Sequence, residues 1–269
     1  MTGKEFSYYG VSGDPFCKGN NGRRAFSSTD HAEAVGMMGR AAGQGGIAVI
    51  TAAPGMGKSY ALNCFSRGLD PKRYELHYIC LSTVTVTEFY RQLSNSFGLD
   101  VRYGKAAMFI AIKERITALY KNHLLTVIII DEAQDLNTQI LKEIKSLMNF
   151  KMDTEECMLL ILSGEPSLNI TLQKPVYESL LQRVRNHYHF KGLSVSEASE
   201  YVKFKITAAG GSSSILTDDA YDAIVSLGKG NPRTIDALMT DAMLLGFQLK
   251  RERIDGELIT AAYEGRKLG

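Results

Sequence analysis

Cysteine is scarce in this chain, and its spacing argues against the usual metal and redox motifs. The four cysteines include no C-x-x-C pair, and Cys64, Cys80 and Cys157 lie within apolar segments. Thiols in such positions are typical of the reduced core of a cytosolic protein. The five histidines also lack the spacing of metal ligands, and His187 and His189 belong to an alternating segment that favours a strand.

Long apolar runs, a large net charge and internal repeats are missing as well. No uninterrupted apolar run approaches the length needed to span a bilayer, and residues 1–6 have no apolar core like that of a signal peptide. A formal net charge of +2 predicts no strong preference for polyanions, which leaves only a local basic patch for such a role. We therefore expect a cytoplasmic protein without a membrane segment, whose 269 residues form one α/β domain with a smaller appendage.

Residues 52–59, with the sequence AAPGMGKS, are typical of a phosphate-binding loop. They follow the apolar run 47–50 and precede a helix-compatible segment. Such a loop requires a buried strand, then a glycine-rich turn, then a helix N-terminus. The first glycine of the pattern G-x-x-x-x-G-K-S/T is replaced by Ala52, which is also small but less permissive in φ. The alternative is an ordinary turn between a strand and a helix.

The loop residues have predicted roles toward ATP and Mg²⁺. Gly55 and Gly57 allow backbone N–H groups to turn inward around a phosphate. Lys58 is expected to contact the β- and γ-phosphates, and Ser59 to give its hydroxyl to Mg²⁺ at the start of a helix whose dipole attracts anions. The residues expected to contact the nucleotide here are Pro54, Gly55, Met56, Gly57, Lys58, Ser59 and Tyr60.

The apolar run 124–130 ends on two acidic residues, Asp131 and Glu132. A continuous apolar run predicts a strand buried on both faces, where carboxylates are costly unless they have a function. Asp131 is expected to hold Mg²⁺ through water, and Glu132 to orient or deprotonate the water that attacks the γ-phosphate. The alternative is that both acids cap the following helix. Together with the loop, they predict an Mg²⁺-dependent nucleoside triphosphatase.

Strands and helices are predicted to alternate along most of the chain. The predicted strands are residues 46–51, 75–81, 126–131, 158–163 and 187–190. The predicted helices are residues 106–121, 138–150, 194–210, 217–228 and a segment that starts after Pro232. This alternation predicts an α/β fold with a mostly parallel sheet, covered on both faces, and nucleotide at the carboxyl ends of its strands. No strand is predicted after residue 190, so a small helical domain follows.

Further short motifs follow one another along almost the whole chain. They are YG at 9–10, DPF at 14–16, the phosphate loop, IDEAQDL at 130–136, SGEP at 163–166, LQRV at 181–184 and GKGNPR at 228–233. Their order resembles the ExeA-like branch of the AAA+ ATPases, whose P-loop NTPase fold combines a parallel-sheet core with a small helical lid. The resemblance implies an AAA+ nucleotide-binding domain at 1–191, whose N-terminal segment 1–45 packs near the nucleotide, and a C-terminal helical lid domain at 192–269.

The same resemblance implies roles for polar residues outside the loop. Ser163 takes the sensor 1 position, where a side chain responds to the γ-phosphate or the attacking water; a strand-end turn is the alternative. Arg183 or Arg185 is the arginine finger that acts on the nucleotide of a neighbouring subunit. We prefer Arg183 because it matches the family's Q-R motif, and a surface ion pair is the alternative for either. Arg233 takes the sensor 2 position in the lid, and Phe16 packs near the adenine unless it only anchors the core.

The main functional hypothesis is a DNA-binding ATPase that assists transposition, similar to the MuB and TnsC kind. Such ATPases form rings or helical filaments on double-stranded DNA with ATP and present it to a transposase. Thr83, Arg102 and Lys105, after the second predicted strand, are the candidate phosphate contacts, without base recognition. The alternative for these three is a solvated loop and helix face. We expect ATP binding to stabilise the homo-oligomer and hydrolysis to reset it.

Two other function classes stand beside this hypothesis. A secretion-pathway ATPase of the ExeA kind shares the ATPase core, but carries a membrane segment and a wall-binding domain after it. Because the sequence stops at Gly269 with neither, we rank this class second, unless the sequence is a fragment. A clamp-loader or initiator-like remodeller is ranked last, because we find no tail long enough for an origin-binding winged-helix domain.

Overall fold

The computed structural model describes residues 4–17, 26–80, 85–100, 104–151 and 154–266. These residues group into two compact units, each with its own apolar core. The sheet unit consists of the described residues of Glu33–Pro54 and Lys58–Phe190, and the helical unit consists of the described residues of Met1–Ala32, Gly55–Gly57 and Lys191–Gly269.

A five-stranded parallel sheet organises the sheet unit. Its strands are β1 (Gly46–Thr51), β2 (Tyr74–Cys80), β3 (Leu125–Asp131), β4 (Met158–Gly164) and β5 (Val184–His189). The order across the sheet is β2-β3-β4-β1-β5, and every neighbouring pair is parallel. The predicted α/β fold with a parallel-sheet core is therefore confirmed.

Helices connect these strands and continue beyond them. In chain order they are α1 (Lys4–Ser7), α2 (Thr29–Gln44), α3 (Lys58–Gly68), α4 (Val86–Ser96), α5 (Lys105–Lys121), α6 (Thr138–Leu147), α7 (Ser167–Leu172), α8 (Glu178–Leu181), α9 (Val195–Ala208), α10 (Asp218–Gly228), α11 (Pro232–Gln248) and α12 (Gly256–Glu264). Helices α3 to α8 belong to the sheet unit, and α1 and α9 to α12 belong to the helical unit. In the part of the chain that the structure describes, no helix combines the length and apolar character needed to cross a membrane.

The central strands are apolar and end on polar residues. All of β4 is buried, and so is all of β3 except Leu125. Burying one large aliphatic side chain contributes about 1.5–3 kcal/mol to the free energy of folding. Burial of these two strands therefore contributes much of the stability of this unit. Ile130 pairs with Leu162 across the two strands. Asp131 and Ser163, the next residues of each strand, therefore lie side by side at the carboxyl ends.

The helical unit combines the N-terminal segment with the C-terminal helices. Phe6, Tyr9, Val11 and Phe16 are buried in the same apolar core as the side chains of α9 to α12. The Tyr9 hydroxyl also donates a hydrogen bond to the carbonyl oxygen of Arg251 at 3.1 Å. The N-terminal segment is thus part of this unit's core rather than a solvated extension.

The predicted domain boundary between residues 191 and 192 remains a prediction. The chain passes from the sheet unit to the helical unit after Phe190. The described part of segment 1–45 is divided, because residues up to Ala32 belong to the helical unit and residues from Glu33 belong to the sheet unit.

Candidate nucleotide site

The phosphate loop runs from the end of β1 to the start of α3. Gly55 and Gly57 have φ values of 88° and 97°, a region that favours glycine because a Cβ there clashes with the backbone. Ala52 has no positive φ, and its N–H donates to the carbonyl oxygen of Gly164 at 3.1 Å. The loop therefore needs glycine at positions 55 and 57 but not at position 52, which explains the departure from the usual pattern.

Helix α3 begins at Lys58, directly after the loop. Its first-turn residues Ser59 and Tyr60 are exposed, as is Pro54, and Met56 is half-buried. The first N–H groups of a helix have no intrahelical partner and attract anions. The predicted nucleotide contacts thus lie on accessible chain, although the contacts themselves remain a prediction.

Asp131 is the centre of a polar cluster in the sheet unit. The residue is only 3% exposed, and its Oδ1 accepts hydrogen bonds from the Ser163 hydroxyl at 2.7 Å and the Glu132 N–H at 3.0 Å. The Nζ of Lys58 lies 3.3 Å from the same oxygen. The hydroxyl of Tyr78 donates to the other oxygen, Oδ2, at 2.9 Å. A buried carboxylate is tolerated only when it is paired in this way.

The partners of Asp131 also fix its charge. Burial by itself would raise the pKa of Asp131, because it disfavours the charged form. The hydrogen bond from Ser163, the charge of Lys58 and the hydrogen bond from Tyr78 outweigh burial, so this pKa lies below its ordinary value. Burial and the bond to Asp131 raise the pKa of Tyr78. Asp131 is therefore an acceptor at neutral pH, and Tyr78 a donor.

Glu132 follows with a left-handed backbone, at φ 54° and ψ 38°, which is uncommon outside glycine. Its Oε2 lies 3.8 Å from the Nζ of Lys58 and accepts a hydrogen bond from the Nε2 of Gln134 at 2.9 Å. The Oε1 of Gln134 in turn accepts from the N–H of Glu165 at 2.9 Å. Gln134 therefore links Glu132 to the chain that leaves β4.

The alternative role of the two acids as helix caps is wrong. The following helix, α6, is capped by Asn137, whose Oδ1 accepts from the N–H of Ile140 at 3.0 Å. Glu132 makes no side-chain cap bond to the short 3-10 turn that it precedes. Neither acid is thus committed to capping a helix.

The phosphate loop, the acidic end of β3 and Ser163 all fall within the part of the chain that matches one domain family. The family model described as "AAA domain" matches residues 41–172, a span that contains all three. The chain contains an AAA domain at residues 41–172. The predicted resemblance to the AAA+ ATPases is confirmed.

A curated relative narrows the branch of AAA ATPases. The chain is 28% identical over 261 residues to General secretion pathway protein A of Aeromonas hydrophila, a match that covers 96% of this chain and 48% of that protein. The chain thus spans about half the length of this relative. The resemblance to the ExeA-like branch is confirmed, whereas closeness to the transposition ATPases receives no support from the comparisons.

Several solved structures share the fold of this chain. Cdc6p from Pyrobaculum aerophilum has a TM-score of 0.70 at 15% identity, covering 95% of this chain and 71% of that one. Drosophila ORC bound to DNA has a TM-score of 0.66 at 14% identity, covering 88% and 60%. The Thermotoga maritima RuvB Holliday junction branch migration motor has a TM-score of 0.52 at 16% identity, covering 87% and 67%. At such identities the similarity concerns the fold alone.

The two arginine-finger candidates of this AAA domain differ in their surroundings. Arg183 directly precedes the edge strand β5. Arg185 is held within its own unit, because its Nη2 lies 2.5 Å from the Oε1 of Glu156 and its Nη1 donates to the carbonyl oxygen of Gln44 at 3.3 Å. The choice of Arg183 as the residue that reaches a neighbouring subunit remains a prediction.

Two other candidates, Arg233 and Phe16, line one cavity of the helical unit with a volume of about 430 Å³. Gly55 also lines it, and a Cβ at Gly55 would lie 2.6 Å from the Oδ1 of Asn231. That oxygen caps α11 by accepting from the N–H of Arg233 at 3.0 Å. A cation in the first turn of a helix is unfavourable by itself, which supports a role for Arg233 toward an anion.

Of the three DNA-contact candidates, the structure describes only Lys105. Thr83 and Arg102 lie outside the described residues. Lys105 is the first residue of α5, and its Nζ lies 2.5 Å from the Oε1 of Glu143 on α6. The other oxygen of Glu143 accepts from the hydroxyl of Tyr90 on α4 at 2.9 Å. Lys105 thus takes part in a link between three helices, and its role toward DNA remains a prediction.

Sequence reasoning missed two members of the site, Tyr78 and Gln134. Gln134 lies two residues after Glu132 in the IDEAQDL motif, so its spacing offered a signal. Tyr78 offered none, because its position beside the acid depends on the register of β2 and β3, which pairs Cys80 with Asp131.

Proposed function

We propose that this chain is the ATP-hydrolysing module of a secretion-pathway ATPase of the kind represented by General secretion pathway protein A. The separation of 3.3 Å between Lys58 Nζ and Asp131 Oδ1 carries the hydrolytic part of the proposal. It brings a cation suited to phosphates and an acid suited to a metal-bound water within reach of one ligand. The similarity over 96% of this chain supports the choice of pathway.

The residues present fit ATP and Mg²⁺. A Cβ built at Gly57 would meet no atom within 4 Å, so the space beside the loop is open to a phosphate group. Ser59 and Asp131 offer the hydroxyl and carboxylate oxygens that Mg²⁺ prefers in proteins. When bound, Mg²⁺ supplies a Lewis acid that polarises the phosphoryl oxygens.

The protein groups divide the work of hydrolysis. Lys58 neutralises charge on the phosphates, and the Ser163 hydroxyl holds Asp131 in place. Glu132 accepts a proton from the attacking water, with its carboxylate oriented by Gln134. Arg183 acts on the nucleotide of the next subunit, so the active form is a homo-oligomer, either a ring or a helical filament.

Substitution of the proposed base tests this division. Glu132→Gln keeps the size of the side chain but removes its basicity, so we expect ATP hydrolysis to fall by at least about 100-fold. Nucleotide binding is expected to persist, because Lys58 and the loop are unchanged. Steady-state hydrolysis and binding of a fluorescent ATP analogue measure the two effects. Glu114→Gln, on the exposed side of α5, is the matched control. Hydrolysis by Glu132→Gln at the unmodified rate would show that another group is the base.

A chimera tests the secretion role. The matched half of the Aeromonas hydrophila protein is replaced by this chain, and export of the pathway's substrates is measured in cells that lack the original gene. We expect the chimera to restore export and its Lys58→Ala variant to fail. Equal export by both would show that this ATPase does not drive the pathway.

DNA binding is the second candidate function, and one observation favours it. Drosophila ORC bound to DNA shares the fold over 88% of this chain. Under this alternative, the protein binds double-stranded DNA in the presence of a slowly hydrolysed ATP analogue, and a transposase would be one class of partner. Fluorescence anisotropy of a labelled duplex at several salt concentrations tests it, because phosphate contacts weaken steeply with salt. Anisotropy unchanged by protein at low salt would end this alternative.

A further inference from the structure

A tyrosine of the edge strand reaches the acid at the end of β3. The hydroxyl of Tyr78 donates to the Oδ2 of Asp131 at 2.9 Å, although Tyr78 is 53% exposed and Asp131 only 3%. Neither the phosphate-loop pattern nor the acidic strand requires a residue at this place. The contact is therefore a property of this chain's own β2.

The register of the sheet explains how Tyr78 reaches so far. Tyr78 pairs with Ile129, and Cys80 pairs with Asp131, so Tyr78 stands two residues before the level of the acid. Residues two apart on a strand lie on the same face, about 6.6 Å from each other. The long tyrosine side chain bridges this step and brings its hydroxyl to the carboxylate. Phenylalanine would fill the same space without a donor.

The two oxygens of Asp131 have different partners. Oδ1 receives the hydroxyl of Ser163, the N–H of Glu132 and the ammonium of Lys58. Within the described residues, Oδ2 receives only the hydroxyl of Tyr78. Because Oδ1 is crowded, Oδ2 is the oxygen with capacity for another donor, such as a metal-bound water.

We propose that Tyr78 is a positioning residue for Mg²⁺, whose hydroxyl orients the Oδ2 of Asp131 toward the water that the metal carries. This inference rests on the proposed ATP site. Residues that orient a metal's protein partners change metal affinity by about 10- to 100-fold when they are substituted. Loss of the hydroxyl alone should therefore weaken metal binding. The affinity for the nucleotide in the absence of metal should stay unchanged.

The experiment compares Tyr78→Phe with the unmodified protein. A fluorescent, slowly hydrolysed ATP analogue is titrated in EDTA and then at increasing Mg²⁺, and bound Mn²⁺ is counted by electron paramagnetic resonance. We expect the half-saturating Mg²⁺ to rise at least about tenfold in Tyr78→Phe and binding in EDTA to stay the same. Tyr74→Phe, at the other end of β2, is the matched control and should behave like the unmodified protein.

A second variant separates positioning from a packing effect. In an Asp131→Asn background, Tyr78→Phe should have no further effect on half-saturating Mg²⁺, because the carboxylate that it orients is gone. An equal Mg²⁺ dependence of Tyr78→Phe and the unmodified protein overturns the inference, and so does an undiminished effect in the Asp131→Asn background. Failure of the unmodified protein to bind the analogue at any Mg²⁺ concentration overturns the proposed function itself, and is seen before any variant is compared.

Discussion

Lys58 interacts with two acids at the same time. Its Nζ lies 3.3 Å from Asp131 and 3.8 Å from Glu132, and its side chain is nearly buried. An ammonium group in such a place needs a counter-charge. A triphosphate brings more negative charge than either acid, so we expect it to draw Lys58 away from Glu132. That carboxylate would then be released from Lys58 and could turn toward the attacking water.

Gln134 limits where the freed carboxylate can go. Its side chain bridges Glu132 and the N–H of Glu165, and the bridge fits only because position 164 is glycine: a Cβ at Gly164 would lie 2.7 Å from the Gln134 Oε1. The register of β3 and β4 and the small residue after Ser163 together create this space. The sequence motifs contain Glu132, Gln134 and Glu165, but they do not show that Gln134 bridges the other two.

Gln134→Ala is expected to lower kcat for ATP hydrolysis by about 10- to 100-fold, because a loosely held base loses its alignment. The dissociation constant of ATP should change little, since the side-chain hydrogen bonds of Gln134 join it to Glu132 and Glu165. Hydrolysis rates at saturating ATP and separate binding titrations measure both quantities. Gln173→Ala, at the exposed end of α7, serves as the control. A variant with weakened ATP binding and unchanged kcat would contradict the role of Gln134.

The strands were the most predictable elements. All five were predicted, with shifts of a few residues, such as Tyr74–Cys80 for the predicted 75–81 and Val184–His189 for the predicted 187–190. The last strand was the least accurate because its residues alternate between half-buried and exposed, and no continuous apolar run marks its start.

Among the helices that sequence reasoning did not predict, α2 and α4 have identifiable physical reasons. Helix α2 (Thr29–Gln44) is rich in glycine and alanine, which weakens its apolar pattern, and glycine lowers helix propensity by about 1 kcal/mol per residue. Helix α4 (Val86–Ser96) lies in a stretch that we treated as a candidate DNA-contact insert. Its buried side chains include Phe89, Tyr90 and Leu93, so much of this stretch belongs to the core.

The start of α9 gives a prediction for stability against pH. The Oε1 of Glu197 accepts from the N–H of Thr29 at 2.7 Å, and its Oε2 accepts from the N–H of Ser194 at 2.9 Å. Chiefly the bond from Thr29, with help from Ser194 and against a smaller effect of burial, lowers the pKa of Glu197 from 4.5 to about 2. A carboxylate whose pKa is lowered by folding stabilises the folded state at pH values above its ordinary pKa. This contribution is lost as the pH falls from 4.5 to about 2.

Glu197→Gln should therefore destabilise the protein by about 1 kcal/mol near neutral pH, because an amide oxygen can replace only one of the two accepting oxygens and the negative charge at the start of α9 is lost. The difference from the unmodified protein should shrink as the pH falls below 4.5. Urea unfolding at a series of pH values measures it. Glu200→Gln, an exposed position of the same helix, should show no such trend. A difference that stays constant with pH would show that the charge of Glu197 does not contribute.

At the scale of the whole molecule, the sequence motifs predicted the chemistry but not the biological role. The motifs predicted an AAA domain, which the match to residues 41–172 confirms. They led us to prefer transposition, whereas the whole-chain similarity to General secretion pathway protein A favours the secretion alternative. A catalytic core specifies its chemistry through a few aligned residues, but its partners bind surfaces that carry no comparable motif.

A mixing experiment tests whether neighbouring subunits share a site. We expect Lys58→Ala subunits to lose nucleotide but still carry Arg183, and Arg183→Ala subunits to hold nucleotide but lack the proposed finger. If Arg183 acts in the next subunit, the mixture should recover hydrolysis that neither variant shows alone. We expect a rise of at least about tenfold over the separate variants, since an arginine finger contributes about 10³- to 10⁵-fold to the rate. A mixture no more active than its parts would show that Arg183 does not act across an interface.

Isothermal titration with ATP and Mg²⁺, of the unmodified protein and of Lys58→Ala, tests most directly whether the cluster of Lys58 and Asp131 is a triphosphate site. We expect the unmodified protein to bind one ATP per chain and Lys58→Ala to lose at least about 2 kcal/mol of binding free energy, because a buried charge-assisted contact is removed. Lys121→Ala, at the exposed end of α5, should bind like the unmodified protein. Equal affinity of the unmodified protein and Lys58→Ala for ATP would contradict the account.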